Sequence, residues 1–236
     1  VTRALAAVAV GADICYPLVV GEARQVLAAV VVVLSALAVL NAAGRSNLLP
    51  LLGICGLGAF AVEAWGVHTG VPFGAYAYTG HLGPRAVGVP LVVPLAWVSM
   101  AWPALCVARR LCPTRGPRVL VAALALTAWD VMLDPQLAAA GAWRWGSDAA
   151  SVQGVPLHND LGWLVCSALL MAALDRWCAP ADDLVPVALW LWAWLGSVVA
   201  DAVFLGLPET ALVGGVTMGL VGVPLLARLV PVVALA

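Results

Sequence analysis

The 236-residue sequence contains no lysine: all eleven basic residues are arginine. A Schiff base needs a lysine amine, so photoreceptors that hold retinal in that linkage are excluded. Charge of either sign is scarce, at 10% of residues against about a quarter in soluble domains, and the net charge is −1. Neither a basic footprint for nucleic acid nor a like-charge tail is present. CxxC pairs are missing as well. Cys15, Cys55, Cys106, Cys112, Cys166 and Cys178 sit in or beside apolar runs and read as small hydrophobes, not as a disulfide framework. His68, His81 and His158 could meet the chain's acids around a metal, but none stands in HxxxH, HExxH or ExxH spacing. No metal and no organic redox cofactor is therefore expected.

What fills the sequence instead is hydrocarbon, with 64% apolar residues and a mean hydropathy of +1.05. A soluble fold could not hide that much apolar surface. Apolar runs long enough to cross a bilayer fall near 4–20, 25–41, 48–67, 87–108, 117–134, 157–177, 184–205 and 209–230. The expectation is an all-α, polytopic protein of about eight transmembrane helices in the cell membrane, forming a single transmembrane domain over residues 1–236. Asp13 interrupts the first run and no small-residue cleavage site follows, so that run is expected to remain as a helix. Arg109, Arg110, Arg115 and Arg118 crowd one short connection, which marks it as cytoplasmic. Alternation then puts both termini inside, together with Arg3, Arg45, Arg176 and Arg228, and leaves Arg24, Arg85 and Arg144 outside.

Two connections are long, about 68–86 and 135–156, and both fall on the outer side in this topology. Loops of that length in a compact chain are usually functional. Each carries alternating aromatics suited to an extended segment: Phe73, Tyr76 and Tyr78 in the first, Trp143 and Trp145 in the second. The loops also resemble each other. Glu63, Tyr76 and Tyr78 recur 67 residues later as Asp130, Trp143 and Trp145, and Gly88-Val89-Pro90-Leu91 with Trp97 recurs 66 residues later as Gly154-Val155-Pro156-Leu157 with Trp163. Repeat-like units 48–108 and 117–177 follow, each a helix, an outer loop and a returning helix, which would set Glu63 and Asp130 at one depth. Asp13 and Asp201 fall in the outer halves of two further odd-numbered helices, so four parallel hairpins around one polar centre are expected.

A carboxylate at the middle of a span costs roughly 2.5–3.5 kcal/mol on the insertion scale, so each intramembrane acid calls for an explanation. Structure alone could provide it, through an interfacial depth or a hydrogen bond to a neighbouring helix. Asp130 and Asp134, however, are four residues apart and share a helix face. Two desolvated carboxyls side by side can keep a proton between them at neutral pH, and a protonated carboxyl is what acid chemistry on an alkene requires. The plain alternative is that Asp134, followed by Pro135, only ends its helix in water. Trp65, Trp129 and Trp163 neighbour polar candidates in sequence, and an aromatic face can stabilise a developing cation.

These residues resemble the integral-membrane carotenoid hydratases of bacteria and haloarchaea, which hydrate acyclic end groups in making γ-carotene-derived and bacterioruberin-type alcohols. The resemblance covers about 63–163. It rests on Glu63, Pro72-Phe73-Gly74 with Tyr76 and Tyr78, Gly88-Val89-Pro90 with Trp97, Asp130 with Asp134-Pro135, Trp143 with Trp145, and Gly154-Val155-Pro156 with Asn159 and Gly162-Trp163. Asp160 departs from the pattern, where an apolar residue is usual. The resemblance implies a hydro-lyase of the carotenoid 1,2-hydratase type, with an acyclic carotenoid and water as substrates, lipid around it, and pathway enzymes or a second copy as further partners. The catalytic candidates are then Asp130, Glu63, Asp134 and Asn159. The substrate-binding candidates are Trp65, Phe73, Tyr76, Tyr78, Trp97, Trp129, Trp143, Trp145 and Trp163.

Three other readings stay open. An end-group cyclase starts from the same protonation but leaves product mass unchanged. A polyprenyl transferase could use Asp130 and Asp134 as a DxxxD Mg²⁺ site, although no second aspartate-rich motif is present. A transporter could use the intramembrane acids as a proton relay.

Overall fold

The computed structural model describes residues 1–146, 151–181 and 183–233. Eight helical rods follow in chain order: α1 (Thr2–Cys15), α2 (Glu22–Ala43), α3 (Arg45–Thr69), α4 (Val93–Leu111), α5 (Arg115–Ala139), α6 (Leu157–Trp177), α7 (Leu184–Phe204) and α8 (Pro208–Val233). Among the described residues six of them, α2, α3 and α5 to α8, are long and apolar enough to cross a membrane. The other two fall short of that standard. α1 runs for only 14 residues before a 3₁₀ turn at Tyr16–Leu18, and α4 ends in Arg109 and Arg110.

Two rods widen into π-helix. In α3 the wide stretch is Leu51–Gly58, directly after Pro50, whose missing N–H and ring disturb the regular ladder, and it contains three glycines. In α7 it is Ala200–Phe204, and it carries Asp201.

α4 and α5 form the centre. Along α4, from Trp97 to Ala108, every side chain is buried, and α5 buries Ala122, Ala123, Ala125, Leu126 and Ala128. The many alanines let these rods approach closely, which is how helices gain contact where lipid removes the hydrophobic drive to associate. α8 uses glycine in the same way: a Cβ on Gly214 would come within 2.7 Å of Met132 Sδ, and one on Gly222 within 2.3 Å of the Trp194 ring.

The end of the bundle away from the long loops is held by charge. Asp175, nearly inaccessible, faces Arg118 at 3.0 Å, Arg109 at 3.5 Å and Arg115 at 3.9 Å. Arg110 grips Asp183 through two hydrogen bonds of 2.6 Å. Asn47 at the start of α3 donates to Ala43 and Ala179 and accepts from the Ala179 N–H.

At the opposite end the two long loops fold into short strands: β1 (Tyr76–Tyr78), β2 (Arg85–Ala86), β3 (Val89–Pro90), β4 (Trp143–Trp145), β5 (Ser151–Val152) and β6 (Val155–Pro156). β1 and β4 pair antiparallel, Tyr76 opposite Trp145 and Tyr78 opposite Trp143. Each strand starts within seven residues of its helix and the two strands pair, so α3 and α5 end on the same side of the bundle. β2–β3 and β5–β6 are two-residue hairpins, turning at Val87-Gly88 and Gln153-Gly154. Both central residues of each have positive φ, 49° and 83° in one and 55° and 79° in the other. That is the twist-matched turn of tight hairpins.

Of the element ends that differ from expectation, two bear on the site. The run 87–108 begins as strand and becomes helix only at Val93, because the hairpin holds Val89 and Pro90 in extended backbone. α5 does not stop at Asp134; it continues through Pro135 to Ala139, so Asp134 is buried inside the rod and not at its wet end.

Candidate active site

Glu63 lies near the end of α3 and is buried. One turn on, Gly66 leaves space that a Cβ would take from the Phe73 ring, 3.0 Å away, and from the Tyr76 hydroxyl at 3.1 Å. The left-handed Gly70 then ends the helix, and Gly74 makes room for His158, whose Nε2 a Cβ there would approach to 2.1 Å. Alternation in β1 turns Tyr76 and Tyr78 to one side and exposes Ala77. Both phenols donate to Glu63 Oε2, at 2.6 and 2.9 Å, and Trp97 Nε1 on α4 donates to Oε1 at 3.1 Å. Burial and the adjoining Glu63 carboxylate push both phenols far above their ordinary range, so they remain donors.

The second acid group is built on one face of α5. Asp130 and Asp134 are both buried, and Asn159 of α6 divides its amide between them, at 3.2 Å to Asp130 Oδ2 and 2.6 Å to Asp134 Oδ2. Asn159 and Trp163 are one helical turn apart, so the same face of α6 meets the acid pair and the aromatics. Trp163 stacks flat on Trp97 with centroids 4.1 Å apart and meets Trp129 edge-on at 6.4 Å. Phe73 lies 6.0 Å from Trp163, while the β1–β4 pairing sets Tyr76 against Trp145 at 5.4 Å and Tyr78 against Trp143 at 5.8 Å.

One cavity of about 620 Å³ joins these groups. Glu63, Asp130, Asp134 and Asn159 line it, as do Phe73, Tyr76, Tyr78, Trp97, Trp129, Trp143, Trp145 and Trp163. Trp65 is the exception among the aromatics named from the sequence: it is 62% exposed and outside the lining, because it sits on the α3 face opposite the loops' aromatics. Inside the cavity wall, Asp130 Oδ1 and the indole nitrogens of Trp143 and Trp145 have no partner among the described residues. Buried polar atoms without a partner are costly, so these three mark where the wall is not fully satisfied.

The cavity also reaches a second polar group. Trp192 Nε1 of α7 donates to Asp13 at 2.8 Å, and Gln136 Nε2 donates to Asp201 at 3.1 Å. Trp192 and Gln136 carry no motif in the sequence; Gln136 could have been found only as the next polar residue after Asp134 on α5. His68, His81 and His158 do not converge, and among the described residues no group of His, Cys, Asp and Glu could hold a metal ion.

Fold and site together define a helical membrane protein enclosing an apolar, aromatic cavity with carboxyl groups in its wall. The profile of the carotenoid biosynthesis protein family matches residues 21–221, and the chain belongs to that family. It is similar to the bisanhydrobacterioruberin hydratase of Haloarcula japonica, with 30% identity over 122 residues. That alignment covers 50% of this chain and 41% of the relative, so the chain spans less than half the length of the curated relative it matches. No solved structure matches.

Proposed function

We propose that the chain is a carotenoid hydratase that adds water across the terminal trisubstituted double bond of an acyclic carotenoid end group. The observation that carries this reading is the division of hydrogen bonds among the three acids. Glu63 receives three donors, the complement of an ionised carboxylate. Asp130 and Asp134 share a single amide, and two carboxyls so placed are satisfied when one of them keeps a proton. Family membership and the name of the haloarchaeal relative support the same substrate class.

A hydrocarbon end offers no polar handle, so the reaction begins with protonation. The Asp130 carboxyl delivers its proton to the less substituted alkene carbon; the π pair becomes the new C–H bond and the tertiary carbon is left positive. The indole faces and the Glu63 carboxylate stabilise that cation. Water then adds through its oxygen lone pair to the tertiary carbon and returns one proton to the Asp130–Asp134 pair. Atoms and charge balance over the cycle, with water alone consumed. Asn159 fixes the pair's geometry.

Asp130→Asn keeps the shape and removes the acid. Expressed in cells loaded with an acyclic carotenoid, the variant is expected to fold and to bind carotenoid but to yield no product heavier by one water. Near-normal turnover rejects Asp130 as the donor, and a product of unchanged mass from the unmodified protein indicates cyclisation instead.

A further inference from the structure

Hydration consumes one water per turnover, yet where the cavity reaches the surface beside the end of α1 and along α7 its lining is Ile14, Leu18, Leu195, Val199 and Phe204, all exposed and apolar. That opening suits a hydrocarbon chain and repels water. A second, smaller pocket of about 110 Å³ lies where the first long loop meets α2 and the end of α5. Arg24, Gln25 and His81 give it polar walls, and it shares Tyr16, Ala28, Leu82 and Leu137 with the large cavity. Its frame is tied down: Thr79 Oγ1 donates to Gly141 at 2.6 Å, and His81 Nδ1 lies 3.3 Å from the Ala140 carbonyl. Arg24 is fixed by its 2.7 Å bond to Val19 and stands over the Tyr16 ring at 5.7 Å.

Resting on the hydratase reading, we propose that this small pocket is a dedicated water inlet, separate from the opening that admits the hydrocarbon. The passage runs between Tyr16, Leu82 and Leu137, which line both the small pocket and the large cavity. Past them the large cavity's lining includes polar side chains: Asp13, Gln136 and Asp134, besides the Tyr16 hydroxyl. A volume of 110 Å³ holds several waters, since each occupies about 30 Å³ in the liquid. Separate routes let the cavity stay apolar towards lipid while its acid end is supplied with water.

The test uses the full chain in proteoliposomes with Gln25→Cys and Leu137→Cys variants, each treated with a membrane-impermeant thiosulfonate and mapped by mass spectrometry against the untreated native cysteines. Both cysteines are expected to react. A bulky adduct on Gln25→Cys is expected to stop hydration while the visible absorbance of bound carotenoid stays unchanged, and a reducing agent that removes the adduct is expected to restore activity. An Ala140→Cys variant, on the opposite wall of the pocket, repeats the block should Gln25→Cys fold poorly. If Leu137→Cys is inert to the reagent, or if the adducts leave hydration at its untreated rate, the inlet is refuted. The labelling arm reads without turnover, so an absence of hydration in the unmodified protein counts against the hydratase reading and not against the inlet.

Discussion

Tyr76→Phe isolates one bond at the site. The ring keeps its contacts with Phe73, Tyr78 and Trp145, and only the hydroxyl that donates to Glu63 at 2.6 Å is lost. A hydrogen bond to a charged group contributes about 1.5–3 kcal/mol, and the short length and burial of this one place it towards the upper end. If Glu63 stabilises the transition state through its charge, the same energy corresponds to a fall in kcat of about 10- to 150-fold. Glu63→Gln removes the charge, after which the phenol no longer has an anion to orient. In the double variant Tyr76→Phe is therefore expected to cost little more than Glu63→Gln alone, leaving a coupling energy of about 1.5–3 kcal/mol. Product mass from liposomes containing an acyclic carotenoid measures the rates, and thermal unfolding in detergent measures stability. Equal effects of Tyr76→Phe in both backgrounds refute the reasoning, because the hydroxyl would then act independently of Glu63.

Further outcomes follow from other contacts. All three tyrosines, Tyr16, Tyr76 and Tyr78, are pushed up mainly by burial. The folded state thus holds protons that the unfolded state releases above about pH 10, and stability falls as pH rises from there; tyrosinate absorbance should appear in one step with unfolding, and early titration of the phenols in folded protein would contradict this. Asp175→Asn leaves three guanidinium groups facing one another and is expected to lower stability by on the order of 3 kcal/mol, read as a lower unfolding temperature; an unchanged temperature means that water screens the cluster. Gly162→Ala places a Cβ 2.7 Å from the Pro72 carbonyl oxygen, so backbone must move, and a loss of about 1–3 kcal/mol with altered tryptophan fluorescence is expected; wild-type stability and spectrum would show that the turn yields freely.

Apolar run length locates the helical rods well, since crossing a bilayer imposes a length that the sequence must meet; 157–177 coincides with α6 to the residue. Where prolines intervene the boundaries are less legible. Pro135 suggests a stop, yet the rods packed around α5 hold the helix for another turn, and Pro90 lies in what reads as a continuous apolar run but forms a strand. That acids and aromatics line one cavity is legible in outline, because both stand out against apolar runs. The antiparallel register of β1 and β4 is not, because Tyr76 and Trp145 meet only once α3 and α5 have ended side by side. Trp65 shows the limit of proximity in sequence: two residues from Glu63 on a helix is the opposite face. The contacts of Trp192 with Asp13 and of Gln136 with Asp201 span rods far apart in the chain and leave no local pattern.

The pairing of β1 with β4 ties the two long loops into one cover, so neither can swing aside without tearing hydrogen bonds from the other. Exposed apolar side chains in the cavity lining, such as Ile14, Leu195 and Phe204, then offer a ligand insoluble in water an approach sideways from the lipid. For such a ligand the governing concentration is its mole fraction in the bilayer, not its amount in the tube. Adding inert lipid at constant total carotenoid should slow the protein as dilution slows any two-dimensional encounter, and crowding the substrate into fewer lipids should speed it. On the proposed hydratase reading, the cover therefore ties turnover to the composition of the membrane around it.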